Sequence, residues 1–144
     1  MILITGGAFQ GKCSYAKQEY GVAQQNIVDG EVSDKEVLFH AEVIDHFHLF
    51  IQKMIENQEN TKLFLEELLV KNPEVIIITT ELGCGIVPIS AKDRAFREEM
   101  GRISVFLAKR AKRVIRMICG IGMEIKTEDE KDQTIYDKTF CNKG

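Results

Sequence analysis

The chain has 144 residues, enough for one domain with a sizeable core. Its apolar fraction of 44% and charged fraction of 28% are those of a globular protein. A net charge of −3 argues against general nucleic-acid affinity, and no segment approaches the roughly 20 apolar residues that cross a membrane.

Met1-Ile2-Leu3-Ile4 is a short apolar run that reads as a buried strand. It is too short for a signal peptide, so a cytoplasmic protein is expected. Thr5 follows, then Gly6-Gly7-Ala8-Phe9-Gln10-Gly11-Lys12-Cys13, and Ser14 to Tyr20 can form a helix. This is G-x-x-x-x-G-K between a strand and a helix, with cysteine where serine or threonine is expected. Such a phosphate loop (P-loop) turns backbone N–H groups around a phosphate at the positive end of a helix, and the glycines let the backbone approach. Gly6 to Ser14 are therefore the candidate nucleotide-binding residues, with Lys12 reaching toward the terminal phosphates. Cys13 is the anomaly. The usual hydroxyl touches Mg²⁺, a hard cation that prefers oxygen to a thiol.

Gln25 to Gly30 forms a short strand candidate that contains Asp29. Ser33 and Glu36 have the spacing of a capping box, and one long helix is expected from there to about Glu56. Val37, Ala41, Ile44, Phe47 or His48, and Ile51 recur along it at three- and four-residue steps. His40, His46 and His48 fall in that helix as ordinary amphipathic residues, since a two-residue spacing puts His46 and His48 on different sides. Thr61–Lys71 is a second helix with Leu63, Phe64, Leu68 and Leu69 inside, stopped by Asn72-Pro73.

Glu74–Thr80 is the clearest strand, β-branched on both faces as in a central parallel strand. Glu81 to Pro88 is a glycine-containing loop. Ser90 caps a long helix with Phe96, Met100, Ile103, Leu107 and Ala111 on one face. Arg113–Cys119 is a strand, Met123–Lys126 a short last one, and 127–144 a polar tail after a nucleotide-binding domain of residues 1–126. Cys13, Cys84, Cys119 and Cys141 include no C-x-x-C pair, so reduced thiols are expected rather than zinc or disulfides.

Alternating strands and helices imply an α/β domain with a mainly parallel sheet and helices on both faces. Ligands bind such sheets at the carboxyl ends of the strands. The P-loop, Asp29 and Glu81 all fall there. Phosphoryl transfer needs cradled phosphates, a metal and charge neutralisation. Asp29 and Glu81 are the candidates to hold Mg²⁺ or to take a proton from a substrate hydroxyl, with a plain turn before Gly30 the other reading of Asp29. Arg94 and Arg97, near the start of the long helix, are candidates to clamp phosphate. The remaining basic residues up to Arg116 read as a solvated face.

Thr5-Gly6-Gly7-Ala8-Phe9-Gln10-Gly11-Lys12 resembles the opening T-G-G-x-x-S-G-K-S of the adenosylcobinamide kinase / adenosylcobinamide-phosphate guanylyltransferase family. Thr80-Glu81-Leu82-Gly83-Cys84-Gly85-Ile86-Val87-Pro88 resembles its N-E-V-G-x-G-I-V-P. Arg94-Ala95-Phe96-Arg97, Gly101-Arg102 and Leu107-Ala108 follow at the family's spacing, and Gly120-Ile121-Gly122 through Lys126 matches its closing G-I-G-x-x-I-K. The resemblance implies a P-loop NTPase with a RecA-like sheet in a homo-oligomeric assembly, a trimer. It implies GTP or ATP with Mg²⁺ as cofactors, and a corrinoid substrate, adenosylcobinamide, whose aminopropanol hydroxyl is phosphorylated. The family's second activity passes GMP through a histidine in a segment that this chain lacks, so that role is carried onto none of His40, His46 and His48. Cys13, Ser104 and Asp29 stand where the family has serine, asparagine and glutamate. Two other readings accompany the kinase: a nucleotide- or corrinoid-binding protein that no longer catalyses, and a P-loop kinase of another small hydroxyl substrate.

Overall fold

A computed structural model describes residues 1–82 and 90–128. In chain order these form β1 (Ile2–Gly6), α1 (Lys12–Tyr20), β2 (Ile27–Asp29), α2 (Lys35–Phe39), β3 (Val43–Asp45), α3 (Phe47–Glu56), α4 (Thr61–Lys71), β4 (Ile76–Ile78), α5 (Ala91–Arg110), β5 (Arg113–Ile118) and β6 (Ile121–Lys126). The Gly83–Pro88 part of the expected glycine loop, and the tail from residue 129 onward, lie outside the described residues.

The strands form one sheet in the order β2-β3-β4-β1-β5-β6. All neighbours are parallel except β5 and β6. This is the expected α/β architecture of a P-loop NTPase, with β4 inserted between β3 and the P-loop strand β1. The antiparallel edge follows from a two-residue turn. Cys119 and Gly120 both have positive φ, 50° and 78°, which suits the twist of a tight hairpin. β6 also starts earlier than its sequence pattern suggests, at Ile121 rather than Met123.

Among the described residues, the two faces of the sheet are covered unequally. Leu3, Ile44, Ile77 and Val114 point to one side, where α2 to α5 supply Leu38, Phe47, Ile51, Leu65, Leu68, Ile103 and Leu107. Ile4, Val43, Ile76, Ile78, Ile115 and Met117 point to the other, where α1 supplies Ala16 with Cys13, Tyr15 and Tyr20 around it. Period-two alternation along β1, between Leu3 and Ile4, thus feeds two cores. In α4 the inward face is Phe64, Leu65 and Leu68, whereas Leu63, expected inside, is 62% exposed.

The long helix expected from Ser33 to Glu56 is not formed. It is replaced by α2, β3 and α3, and the cap of α2 is Asp34, whose side chain accepts from the Val37 N–H. Two features end α2 after five residues. The Asn72 side chain, at the end of α4, donates to the carbonyls of Leu38 (3.1 Å) and Ala41 (2.8 Å), and so satisfies groups that a longer helix would have bonded internally. Val43 and Ile44 are fully buried between β2 and β4, a position that suits β-branched residues better than a half-exposed helix does. The three- and four-residue steps along 37–51 were a coincidence of two short helices flanking a buried strand.

Candidate functional site

The site is built at the carboxyl ends of β1, β3 and β4. β1 runs into the loop at Gly6, whose φ of 152° and close packing leave no room for a side chain: a Cβ there would lie 2.7 Å from the Met117 carbonyl oxygen. Gly11 closes the loop in the left-handed region (φ 82°) and serves as N-cap of α1 with no side chain bonded to the helix end. The first N–H groups of α1 therefore face the loop without a side-chain acceptor, the arrangement that binds a phosphate. Phe9 is fully exposed with φ 60°, and the Gln10 side chain accepts from the Cys119 N–H at 2.6 Å, tying the loop to the β5–β6 turn.

Lys12 is 93% buried, being only 7% exposed, and its Nζ donates to the carbonyls of Gly7 (2.6 Å) and Gly6 (3.3 Å). Burial pushes its pKa down, while the carboxylates of Asp45 and Glu81 oppose that shift. The lysine thus sits between two acids at the end of the loop, already bonded to the loop it serves. Cys13 follows on the first turn of α1, half-buried. Burial raises its thiol pKa, and Asp45 adds to the effect. Position 13 is therefore a neutral thiol beside a carboxylate, a poor donor for Mg²⁺.

A cavity of about 390 Å³ opens over the loop, lined by Ala8 to Ser14 together with Asp45, His46, His48, Leu49 and Thr80. Four of these come from β3 and the start of α3, the stretch that reads as mid-helix in the sequence. Asp45 ends β3 directly beside Asp29 in the parallel register. Its Oδ1 accepts from the His46 N–H at 2.8 Å, and its backbone carbonyl from the Gly30 N–H at 2.8 Å. His46 has a left-handed backbone (φ 51°), which lets the chain turn from strand into helix. His48 is buried, with its Nδ1 lacking a partner among the described residues. Burial, then the nearby His46 and Lys12, depress its pKa to about 4, so the ring is neutral near pH 7.

The predicted residues separate into two groups. Gly6 to Ser14 form the loop, and Lys12 reaches its base. Asp29 and Glu81 are not brought together. Glu81 follows β4, its N–H bonds the Gly6 carbonyl at 2.9 Å, and its carboxylate makes a two-pronged pair with Arg116 at 3.0 and 3.2 Å. Asp29 stands on the edge strand β2, separated from β4 by β3. Its Oδ1 accepts from the Glu31 N–H at 2.9 Å and lies 3.0 Å from His46 Nδ1. Partial burial would raise its pKa, but those two contacts outweigh it and hold the carboxyl below its ordinary value. The acid that lines the loop cavity is Asp45. Arg94, exposed, and Arg97, half-buried, lie in the first two turns of α5, and neither lines that cavity.

Asp45 had a readable signal. Val43-Ile44-Asp45 repeats the pattern of Ile27-Val28-Asp29, two β-branched residues followed by aspartate, and both tripeptides are short strands ending on the ligand side. His46 and His48 had none, because their place in the cavity depends on where β3 ends.

The family model described as cobinamide kinase / cobinamide phosphate guanyltransferase matches residues 23–125 of this chain. The bifunctional adenosylcobalamin biosynthesis protein CobU of Escherichia coli is 43% identical over 53 residues, which is 37% of this chain and 29% of that protein. Its counterpart of the same name in Salmonella typhimurium is 42% identical over 53 residues, again 37% of this chain and 29% of that protein. The matched part of the chain thus spans less than a third of the length of these curated relatives.

Proposed function

Because the chain belongs to the cobinamide kinase / cobinamide phosphate guanylyltransferase family, we propose that it is a nucleotide-dependent kinase of adenosylcobalamin biosynthesis. In this reading it phosphorylates the aminopropanol hydroxyl of adenosylcobinamide with GTP or ATP. The observation that carries the reading is the P-loop between β1 and α1, with buried Lys12 at its base and Asp45 facing it across a cavity large enough for a nucleotide's phosphates.

The residues divide the work as follows. Gly6 to Gly11 and the uncapped start of α1 surround the phosphates with N–H donors. Lys12 exchanges the carbonyls of Gly6 and Gly7 for phosphate oxygens and offsets their charge. Asp45 would supply the hard oxygen ligand that Cys13 does not, and so fits Mg²⁺. Bound Mg²⁺ would neutralise charge on the phosphates. Glu81, held by Arg116, keeps a second negative charge near Lys12 and fixes the end of β4 against the loop. Arg94 and Arg97 are offered as clamps for phosphate that protrudes beyond the loop.

Cys13 specifically favours a second reading, a nucleotide- or corrinoid-binding protein with little or no turnover. The test separates the two. Purified protein is incubated with adenosylcobinamide, Mg²⁺ and GTP or ATP, and the corrinoid is analysed for added phosphate. The kinase reading expects product that disappears in Lys12→Ala. Tight nucleotide binding with no product supports the binding protein instead. A covalent GMP adduct on the chain would overturn the expectation that guanylyl transfer is absent.

A further inference from the structure

At the rim of the loop cavity, the end of β2 and the start of α3 bring a mixed set of metal-ligating groups together. Asp29, Glu31 and His46 each present a ligand atom, and these atoms all lie within 4.8 Å of one another. We propose that Asp29, Glu31 and His46 form a binding site for a divalent transition cation, separate from any Mg²⁺ that accompanies a nucleotide in the loop.

Three observations support the assignment. Metal–nitrogen and metal–oxygen bonds of about 2.0–2.2 Å put two neighbouring ligand atoms roughly 3 Å apart at a right angle. The His46 Nδ1 to Asp29 Oδ1 separation is 3.0 Å, a hydrogen-bond contact of the same length, so an ion that displaces the shared proton would need little change in the spacing of the two atoms. Asp29 and Glu31 are like charges drawn close on a tight turn, where the Glu31 N–H bonds the Asp29 carboxylate and the Lys53 ammonium bonds the Glu31 backbone carbonyl rather than its carboxylate. A cation between the two acids relieves their repulsion. The site is also open: the side chains of His46 and Asp29 are 44% and 42% exposed, which leaves positions for water or for an oxygen of a bound ligand.

The donor set defines the class of ion. One imidazole with two carboxylates suits Mn²⁺, Fe²⁺ or Zn²⁺ better than Mg²⁺ or Ca²⁺, which prefer oxygen alone. The absence of thiolate among the ligands sets the site apart from a structural zinc site. His46 also lines the nucleotide cavity. A metal held by its Nδ1 would therefore fix the orientation of a ring that faces the loop.

Mn²⁺ is the probe, because its paramagnetic resonance signal is quenched on binding and pulsed measurements detect a coordinated imidazole nitrogen. Nucleotide-free protein is titrated with Mn²⁺, with Glu31→Gln and His46→Gln beside it. The expected result is one Mn²⁺ per chain with nitrogen coupling in the wild type. Glu31→Gln, an exposed position, should weaken binding about tenfold or more. His46→Gln should lose the nitrogen coupling. Binding that is equally tight in Glu31→Gln, or nitrogen coupling that survives in His46→Gln, would overturn the assignment, as would no binding at millimolar Mn²⁺. Kinase activity does not enter the readout, so failure here leaves the proposed reaction untouched.

Discussion

Asn72 holds the end of α2 in place, and with it the start of β3. Its amide donates to Leu38 O and Ala41 O from a partly buried position, on the segment that joins α4 to β4. Asn72→Ala removes both donors and leaves its own backbone bonds, to Leu68 O and from Val75 N, in place. A net 0.5–1.5 kcal/mol per lost bond, with some recovery by water at a partly buried site, gives a loss of about 2 kcal/mol. For a domain of this size that lowers Tm by about 4–8 °C. Asn72→Asp has nearly the same volume but turns a carboxylate toward two carbonyl oxygens, so it should destabilise more than the alanine change. Urea unfolding with an unchanged m value measures both. The stretch between the bonded carbonyls and Asp45 is short, so Asn72→Ala should also weaken nucleotide binding at the loop, although residue 72 does not line the cavity. Two results would refute the reasoning: a stability loss under about 0.5 kcal/mol, or an aspartate variant as stable as the alanine one.

Three further outcomes are expected. Cys13→Ser should lower the Mg²⁺ concentration needed for nucleotide-dependent activity several-fold, because a hydroxyl replaces a neutral thiol; an unchanged Mg²⁺ dependence would place the metal away from position 13. His48 is held neutral in the folded chain, with a pKa of about 4 against 6.5 when unfolded. Between those values the unfolded state takes up the proton, so stability is full above about pH 6.5 and falls as the pH drops toward 4. Chemical denaturation across pH 4–7 should show a shallower acid limb in His48→Gln, and parallel limbs would count against the burial argument. Gly122→Ala places a methyl group against the Tyr15 ring, 2.8 Å from its Cζ. Overpacking of this kind costs roughly 1–3 kcal/mol. In a Tyr15→Ala background the penalty should largely vanish, and an equal penalty in both backgrounds would show that the ring is not the obstacle.

How far the sequence could be read depended on where each element finds its partners. The P-loop, α4, β4 and α5 carry their instructions locally: glycines at fixed spacing, Asn60 and Ser90 as caps, an unbroken Ile76-Ile77-Ile78 run. β3 does not. No glycine or proline separates Leu38 from Asp45, and the residue that ends α2 lies thirty or more positions away along the chain. Its side-chain bonds leave no trace in a local apolar pattern. The candidate site inherited that division. The phosphate-facing half was visible as a motif, whereas Asp45, His46 and His48 were hidden inside an apparent helix. Assigning those residues to a helix also left Asp29 and Glu81 as the visible acids, although three strands of the sheet, β2, β3 and β4, are needed to see that they stand apart.

The bonds from Lys12 to Gly6 and Gly7 bear on how any ligand enters. The loop is closed on itself: its buried Lys12 is satisfied by the carbonyls of Gly6 and Gly7, which frame the phosphate position. An arriving phosphate must therefore compete with an internal ligand, and each bond it gains from Lys12 is matched by one the loop gives up. Affinity then comes mainly from the backbone N–H groups of the loop and the first turn of α1. A large part of the lysine's role is kinetic, since it must leave its own carbonyls before it can follow the phosphate. Association should be slower than diffusion allows, and Lys12→Arg, too long and too forked to fold back the same way, should change the on-rate more than the off-rate.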